Sequence, residues 1–256
     1  MVMQVMSKTD WLVRLDRPGA TARRRIFLFP YAGGGPQAFR DWAALLGPAV
    51  EVVAVQLPGR GRRLAQAPMT DVRKAVEFIA DAIAPHADLP YAFFGHSMGA
   101  LLSFEIVRSF RELGLRLPSH LFVSACRAPT EWSHRPPIGT LADDALVAEL
   151  RRLGGTPPEI LDNDEFLGVM LPILRADCLL SESYAFAAGD PLNVPITAFA
   201  GTEDTEANPE MMQPWALQTI GGFTLHALPG NHFFIHGQRQ AVCAMVSESL
   251  DIPENG

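Results

Sequence analysis

The sequence has few cysteines, and the three that are present show no spacing that builds a disulfide framework or a zinc site. Cys126, Cys178 and Cys243 are odd in number and form no C-x-x-C pair within the 256 residues. None of them lies in a glycine-flanked turn, where a nucleophilic thiol would be expected. We therefore predict that all three are small buried apolar residues and that none is catalytic.

Long apolar runs and clusters of basic residues are also missing. No stretch reaches the length of a membrane-spanning helix, so no membrane partner is expected. The formal net charge is −7 and the only run of three basic residues is Arg23–Arg25, which argues against nucleic acid as a partner. Residues 1–16 lack the charged-then-apolar order of a signal peptide, which predicts a cytoplasmic protein.

What the sequence does contain is an alternation of short β-rich runs with longer helical patterns. Several of the β-rich runs are apolar throughout, as parallel strands covered on both faces are. The alternation predicts an α/β fold with a doubly wound, mostly parallel sheet. The predicted strands are Ile26–Phe29, Glu51–Leu57, Tyr91–Phe94, His120–Ala125, Ile196–Ala200 and Thr224–Ala227, and the predicted helices are Pro36–Leu46, Asp71–Ala84, Ala100–Leu113, Pro209–Gln218 and Gln238–Leu250.

One long segment, residues 127–190, breaks this alternation. It has no strand pattern but two helical ones, Leu141–Leu153 and Asp164–Ala185, and the second is apolar nearly all round. Such a helix must be buried or must face an apolar ligand. The alternative is a core helix of the main domain, but the position and length of the segment favour a helical lid. Residues 1–126 and 191–256 then form the core.

The most informative motif is G-x-S-x-G at residues Gly95–Gly99. It follows a predicted buried strand and precedes an amphipathic helix, which places Ser97 on a sharp strand-to-helix turn. Glycine on either side provides the missing side chains that such a turn requires. Ser97 is therefore the predicted nucleophile. The amide of Met98, at the start of the helix, is a predicted donor to an oxyanion.

A nucleophilic serine needs a general base, and the base needs a carboxylate that orients it. In the α/β-hydrolase order, an acid and then a histidine follow the serine. Gly-Thr-Glu-Asp follows the predicted strand that ends at Ala200, and Asp204 is favoured over Glu203 because it is shorter and deeper in the loop. Pro-Gly-Asn-His-Phe-Phe follows the last predicted strand, so His232 is the predicted base.

Other binding sites are less well supported by the sequence. His96 is adjacent to the predicted nucleophile, and a one-residue offset does not present its ring to the serine. A zinc site made of His226, His232 and His236 lacks the H-E-x-x-H pattern and an acidic fourth ligand. The glycine-rich loop at residues 31–35 lacks the spacing of both phosphate-binding glycine motifs. Neither a metal nor a cofactor is therefore expected.

These motifs together resemble the type II (editing) thioesterases that accompany polyketide synthases and non-ribosomal peptide synthetases. They are also similar to the medium-chain thioesterase of animal fatty acid synthesis. The resemblance spans nearly the whole chain in order and implies an α/β-hydrolase fold with an inserted helical lid. It is carried by FPYAGG at 29–34, QLPGR at 56–60, GHSMG at 95–99, LRAD at 174–177, GTED at 201–204 and GNHFF at 230–234.

The resemblance implies a serine thioesterase that releases acyl groups from the phosphopantetheine arm of acyl or peptidyl carrier proteins through an acyl-enzyme. In that mechanism Ser97 is the nucleophile, His232 the base and Asp204 the orienting carboxylate. The amides of Met98 and Ala32 bind the oxyanion. The carrier protein brings the substrate, so the enzyme itself has no cofactor.

Three further features of the sequence are compared with this family pattern. The family commonly has His where this chain has Tyr31. Residues 124–126 lack the acid that chain-terminating thioesterases often have there, which favours the discrete, editing type. Carrier proteins are usually acidic, so a basic docking face is expected at Arg60, Arg62 and Arg63, unless these are ordinary solvated arginines. General carboxylesterases, acyl-CoA hydrolases and acyltransferases use the same triad and stay open as alternatives.

Overall fold

The structure is a computed structural model that describes residues 11–15, 22–134, 137–154 and 161–251. The predicted absence of a signal peptide concerns residues 1–16, most of which lie outside these ranges. Within these ranges, no helix combines the length and apolar character needed to cross a membrane.

Seven strands of the described residues form one sheet, in the order β1-β3-β2-β4-β5-β6-β7. β1 runs antiparallel to β3, and every other neighbouring pair is parallel, so the prediction of a mostly parallel α/β sheet is confirmed. The strands are β1 (Leu12–Arg14), β2 (Arg24–Phe29), β3 (Val50–Val55), β4 (Tyr91–His96), β5 (His120–Ser124), β6 (Ile196–Gly201) and β7 (Phe223–Leu228).

Helices cover both faces of this sheet. They pack on the sheet through two apolar clusters, one on each face. α2 and α3 lie on one face, and α1 and α8 lie on the other. The helices of the described residues are α1 (Trp42–Leu46), α2 (Val72–Ile83), α3 (Met98–Glu112), α4 (Asp143–Leu153), α5 (Asp164–Glu182), α6 (Pro209–Met212), α7 (Phe234–Gly237) and α8 (Arg239–Ser249).

Aromatic side chains explain why the central strands are apolar on both faces. Successive strand residues point to opposite sides of a sheet. Phe93 packs against Phe27 on one side, with ring centroids 5.8 Å apart. Its neighbour Phe94 packs against Phe122 and Phe199 on the other side, at 6.4 and 6.0 Å. Both layers are therefore closed by large rings, which is why the strand reads as a continuous apolar run.

The structure differs from the local predictions at three places. β1 was not predicted, because three residues at an antiparallel edge are too short to show a period. The predicted helix Pro36–Leu46 is a 3₁₀ turn at Pro36–Phe39 followed by α1, and the predicted helix Pro209–Gln218 is α6 followed by a 3₁₀ turn. In both cases the residues are helical as predicted, but the sequence pattern does not distinguish a 3₁₀ turn from an α-helix.

The strand order reverses next to β2, and this positions the functional loops. The chain leaves β2 for β3 on one side and returns to β4 on the other. Phe29 pairs with Gly95 in register, so the loops after β2 and β4 begin side by side at the carboxyl edge of the sheet. The loops after β6 and β7 open at the same edge because these strands run parallel. Such a switch point is where open α/β sheets bind ligands.

The segment between β5 and β6 is helical, as predicted. It contains α4 and α5, which share a small apolar cluster of their own, and its residues 135–136 and 155–160 lie outside the described ranges. Asn163 begins α5 by accepting a hydrogen bond from the amide of Phe166. The cluster consists of Leu146, Leu150, Leu161, Leu171 and Leu174.

Candidate active site

Ser97 lies at the carboxyl edge of the sheet, on the turn between β4 and α3. Its backbone has φ 54° and ψ −119°, a conformation that residues with a side chain rarely adopt. The turn is held by a hydrogen bond from the Ser97 amide to the Ser124 carbonyl, at 2.8 Å. A Cβ at Gly95 would overlap the backbone of Gly99, and a Cβ at Gly99 would overlap the carbonyl of Phe29. Both positions therefore require glycine, as the motif predicted.

The structure brings the three side chains of the predicted triad into one line. His232 Nε2 lies 3.0 Å from Ser97 Oγ, and His232 Nδ1 lies 2.8 Å from Asp204 Oδ2. The acid and the histidine are buried, with 3% and 6% of their surface exposed. The arrangement can move a proton from the serine to a ring that is oriented by a carboxylate.

Asp204 is the carboxylate that His232 contacts, and its neighbour Glu203 is exposed to solvent. Burial acts to raise the pKa of Asp204, but the hydrogen bond and charge of His232 and the nearby backbone amides act against it, and the net effect lowers the pKa. One of those amides belongs to Glu206, which donates to Asp204 Oδ1 at 2.8 Å. The carboxylate is therefore ionised and held by bonds at both oxygens.

His96 supports the site in a way that sequence reasoning missed. Its ring is fully buried, and Nε2 lies 3.0 Å from the carbonyl of His232 while Nδ1 lies 2.9 Å from Ser124 Oγ. Burial, followed by the charges of neighbouring histidines, lowers the pKa of His96 well below its usual value, so the ring is neutral. A carbonyl only accepts, so Nε2 carries the proton and Nδ1 accepts from the serine hydroxyl. His96 thereby fixes the backbone of His232.

Neutral histidines that are buried or half-buried predict that the protein loses stability as the pH falls from 7 to 5. Burial also lowers the pKa of His120, to about 4. The unfolded chain takes up protons on these rings below its ordinary pKa of about 6.5, and the folded protein does not. Each histidine therefore removes up to about 1.4 kcal/mol per pH unit below that value. Urea unfolding at pH 7, 6 and 5 measures this slope.

His120→Gln provides the control for that slope. The substitution removes one of the rings whose pKa burial lowers, a group that also includes His236, and keeps a polar group near Thr197 Oγ1, which lies 2.8 Å from His120 Nε2. We expect a shallower loss of stability between pH 6.5 and 5, a window above the titration of ordinary carboxylates. An unchanged slope in the variant, or no slope in the parent protein, would contradict the expectation.

The loop after β2 brings Ala32 to the same edge as Ser97. The Gly34 amide donates to the Tyr31 carbonyl at 2.8 Å, so the loop forms a tight turn. Within the described residues, the Ala32 amide donates to no protein acceptor. The Met98 amide is the first of α3 and has no partner inside the helix. Both residues face the same cavity as Ser97, which fits the predicted pair of oxyanion donors.

Tyr31 takes the place where the family commonly has His. Its hydroxyl lies 3.0 Å from His236 Nε2, and its ring packs edge-on against Phe233 with centroids 5.0 Å apart. Burial raises the pKa of Tyr31, so the hydroxyl stays protonated. Tyr31 therefore links the loop after β2 to the segment that carries His232.

A cavity of about 320 Å³ opens beside Ser97 and His232. This volume is near the lower end of the range of about 300–1,000 Å³ typical of small-molecule sites.

The segment between β5 and β6 contributes to this cavity. Arg152 of α4 donates to Glu206 Oε1 at 2.6 Å and to Thr205 Oγ1 at 2.8 Å, which connects α4 to the loop after β6. Lining residues from the segment between β5 and β6 include Trp132, Ile138, Leu150, Leu153, Leu174, Cys178, Ser181 and Tyr184. The prediction that all three cysteines are buried is confirmed.

The predicted docking face at residues 60–63 is wrong for two of its three arginines. Arg60 is buried and donates both guanidinium Nη atoms to the carboxylate of Asp177. Arg63 is buried over the ring of Trp11, with its guanidinium carbon 3.8 Å from the ring centroid. A guanidinium can be buried when it forms an ion pair with a carboxylate or a cation–π contact with an aromatic ring. Only Arg62 is exposed.

Comparison with known protein families agrees with this geometry. The sequence profile of the family described as "Thioesterase domain" matches residues 24–250. The chain belongs to the thioesterase domain family. The resemblance predicted from the motifs is thereby confirmed, and this thioesterase is a hydrolase that acts on thioester bonds.

Individual relatives cover nearly all of the thioesterase. The gramicidin S biosynthesis protein GrsT of Aneurinibacillus migulanus is 38% identical over 240 residues, which cover 94% of this chain and 93% of that protein. Among solved structures, the RedJ thioesterase of the prodiginine pathway in Streptomyces coelicolor is 42% identical with a TM-score of 0.85, over 90% of this chain and 91% of that one. The type II thioesterase BorB from the borrelidin cluster is 34% identical with a TM-score of 0.84, over 94% and 97%.

Proposed function

We propose that this thioesterase hydrolyses acyl groups from the phosphopantetheine arm of acyl or peptidyl carrier proteins and so frees synthases that carry a stalled or wrong acyl group. The observation that carries the proposal is the position of His232, whose ring contacts Ser97 Oγ on one side and Asp204 Oδ2 on the other. That arrangement activates a serine for acyl transfer.

In the proposed mechanism, His232 Nε2 takes the proton of Ser97 Oγ as the oxygen attacks the thioester carbonyl carbon. The carbonyl oxygen becomes an oxyanion, which accepts hydrogen bonds from the amides of Ala32 and Met98. Collapse of this intermediate breaks the carbon–sulfur bond, and the pantetheine sulfur leaves with the proton from His232. Water then loses a proton to His232 and attacks the acyl-serine carbonyl carbon. When this second intermediate collapses, Ser97 Oγ leaves with the proton from His232, and the acid and the free serine are released.

The division into a core and a lid belongs to the same proposal. Residues 127–190 form the lid, and residues 1–126 and 191–256 form the core. Side chains from α4 and α5 line the same cavity as Ser97, which supports this division. The lining is more apolar than polar, which suits an acyl chain.

The carrier-bound substrate is supported by the relatives and by one local feature. GrsT is a gramicidin S biosynthesis protein, and RedJ is a thioesterase of the prodiginine pathway. Residues 124–126 have no acid, as in the discrete type of thioesterase. The carrier protein supplies the phosphopantetheine, so the proposal includes no cofactor bound by this chain. We also propose that the thioesterase is cytoplasmic, because carrier-dependent synthases work in the cytoplasm.

The proposal is tested by comparing the same acyl group on a carrier protein, on coenzyme A and on an oxygen ester. We expect kcat/KM to be higher for the carrier by about tenfold or more, because about 1.4 kcal/mol of contact with the carrier surface gives that factor. Equal values for the carrier and for coenzyme A would point to a general acyl-CoA hydrolase. Faster cleavage of oxygen esters would point to a carboxylesterase, and acyl transfer to an added alcohol or amine in preference to water would point to an acyltransferase.

A further inference from the structure

The turn that follows β2 is held by three hydrogen bonds, and two of them come from distant parts of the chain. Within the turn, the Gly34 amide donates to the Tyr31 carbonyl at 2.8 Å. From outside, Asp177 Oδ2 accepts from the Gly33 amide at 2.7 Å, and Arg60 Nη1 donates to the Gly34 carbonyl at 2.9 Å. Arg60 lies in the loop after β3 and Asp177 lies in α5, so two separate elements converge on one turn.

These bonds set the direction of the Ala32 amide. In a trans peptide the C=O and the N–H point in opposite directions, and the Ala32 N–H shares its peptide unit with the Tyr31 carbonyl. That carbonyl points into the turn toward Gly34, so the Ala32 N–H points out of it. The next peptide unit ends in the Gly33 N–H, which Asp177 holds. Ala32 cannot rotate without breaking a bond on one side or the other.

Asp177 and Arg60 form a pair with a single geometry. Arg60 Nη1 and Nη2 donate to the two carboxylate oxygens at 2.6 and 2.7 Å, and the side chains are 7% and 1% exposed. A bidentate, charge-assisted pair of this kind adds direction as well as energy. One helical turn earlier, Leu174 packs so closely on Gly33 that a Cβ there would overlap its side chain. α5 therefore meets the turn with two side chains of one face.

We infer that Arg60 and Asp177 are positioning residues for thioester hydrolysis, because their pair clamps the turn to α5 and so aims the Ala32 amide at the carbonyl oxygen of the substrate. The inference rests on the proposed function, in which Ala32 is an oxyanion donor. Neither residue touches the reacting atoms. They act by fixing the positions of the Ala32 amide and of α5.

The chain offers a matched pair at the other end of the sheet. Arg25, near the start of β2, donates to Glu51 Oε2 at 2.7 Å and to Asp88 Oδ1 at 2.5 Å, and its side chain is 7% exposed, like that of Arg60. This pair is anchored at the amino-terminal edge of the parallel strands, opposite the edge that carries Ser97. A role limited to stability would make the two pairs equivalent.

The test is Asp177→Asn, which keeps the shape of the side chain and removes its charge. We expect kcat for an acyl thioester to fall by about ten- to a hundredfold, with KM changed by less than about twofold, because the misplaced donor acts only in the transition state. Affinity for a trifluoromethyl ketone, which forms a tetrahedral adduct with the serine, should fall in proportion to kcat. Affinity for an unreactive thioether with the same acyl chain should not change.

Glu51→Gln is the control, and we expect it to lower the unfolding midpoint while kcat stays within about twofold of the parent value. If Asp177→Asn also keeps kcat within that range, or weakens both ligands equally, the positioning role is overturned. If Asp177→Asn does not fold, Arg60→Lys takes its place, since lysine keeps the charge and loses the bidentate contact. Failure of both to fold would show a role in folding alone. An active Ser97→Ala protein would instead defeat the proposed function.

Discussion

Replacing Ser97 with alanine is expected to lower kcat for thioester hydrolysis by about 10⁴- to 10⁶-fold. In the proposed mechanism Ser97 Oγ is the attacking atom, and it lies 3.0 Å from His232 Nε2. Without it, water must attack the thioester directly, with help only from the oxyanion donors. The rate of thiol release measures the loss, and intact-protein mass spectrometry should show an acyl adduct on the parent protein and none on the variant.

Ser103→Ala is the control for this change. Ser103 is a buried serine of α3 whose hydroxyl donates to the Ala100 carbonyl at 2.9 Å, one turn further into the same helix. Its removal is expected to cost about 1 kcal/mol of stability and to leave kcat within about twofold. A Ser97→Ala protein that keeps more than about 1% of the parent activity would remove Ser97 from the mechanism.

Replacing Asp204 with asparagine is expected to lower kcat by about 10³- to 10⁴-fold at neutral pH. The carboxylate accepts from His232 Nδ1 at 2.8 Å, which leaves Nε2 unprotonated and able to take the serine proton. An asparagine amide can instead donate to Nδ1, and the proton then sits on Nε2, where it blocks the base. Side-chain size hardly changes, so the fold should be kept, and circular dichroism with thermal unfolding checks this.

Glu203→Gln is the matched control, since Glu203 is the neighbouring carboxylate of the same loop and is exposed. We expect it to leave kcat within about twofold of the parent value. A larger loss for Glu203→Gln than for Asp204→Asn would reverse the assignment of the acid.

Much of the fold was predictable because its signals are local. β4 is apolar on both faces, and the turn from β4 to α3 has the two flanking glycines that it requires, so the strand, the turn and α3 could be predicted from one short stretch. β1 was missed because it is three residues long and owes its pairing to β3. A strand of that length carries no period of its own, and only its partner defines it.

Polar and charged residues near the site were harder to interpret, because their environment depends on distant partners. Arg60 was expected on a docking surface, but it is paired with Asp177, 117 positions further along the chain. His96 was judged unable to reach Ser97, and its contact with the His232 carbonyl joins residues 136 positions apart. Neither spacing has a local signature, and both contacts exist only because separate loops meet at one edge of the sheet.

The sequence by itself determined the fold class, the glycine-flanked turn of Ser97 and the order in which acid and histidine follow it. These features depend on side-chain period and on backbone conformations that few residues tolerate, which are properties of short segments. Only the tertiary structure decided which buried groups hold the site: His96, which contacts the His232 carbonyl, and the Arg60–Asp177 pair, which joins the loop after β3 to α5. The burial of a polar group depends on the partner that satisfies it, and that partner is supplied by folding.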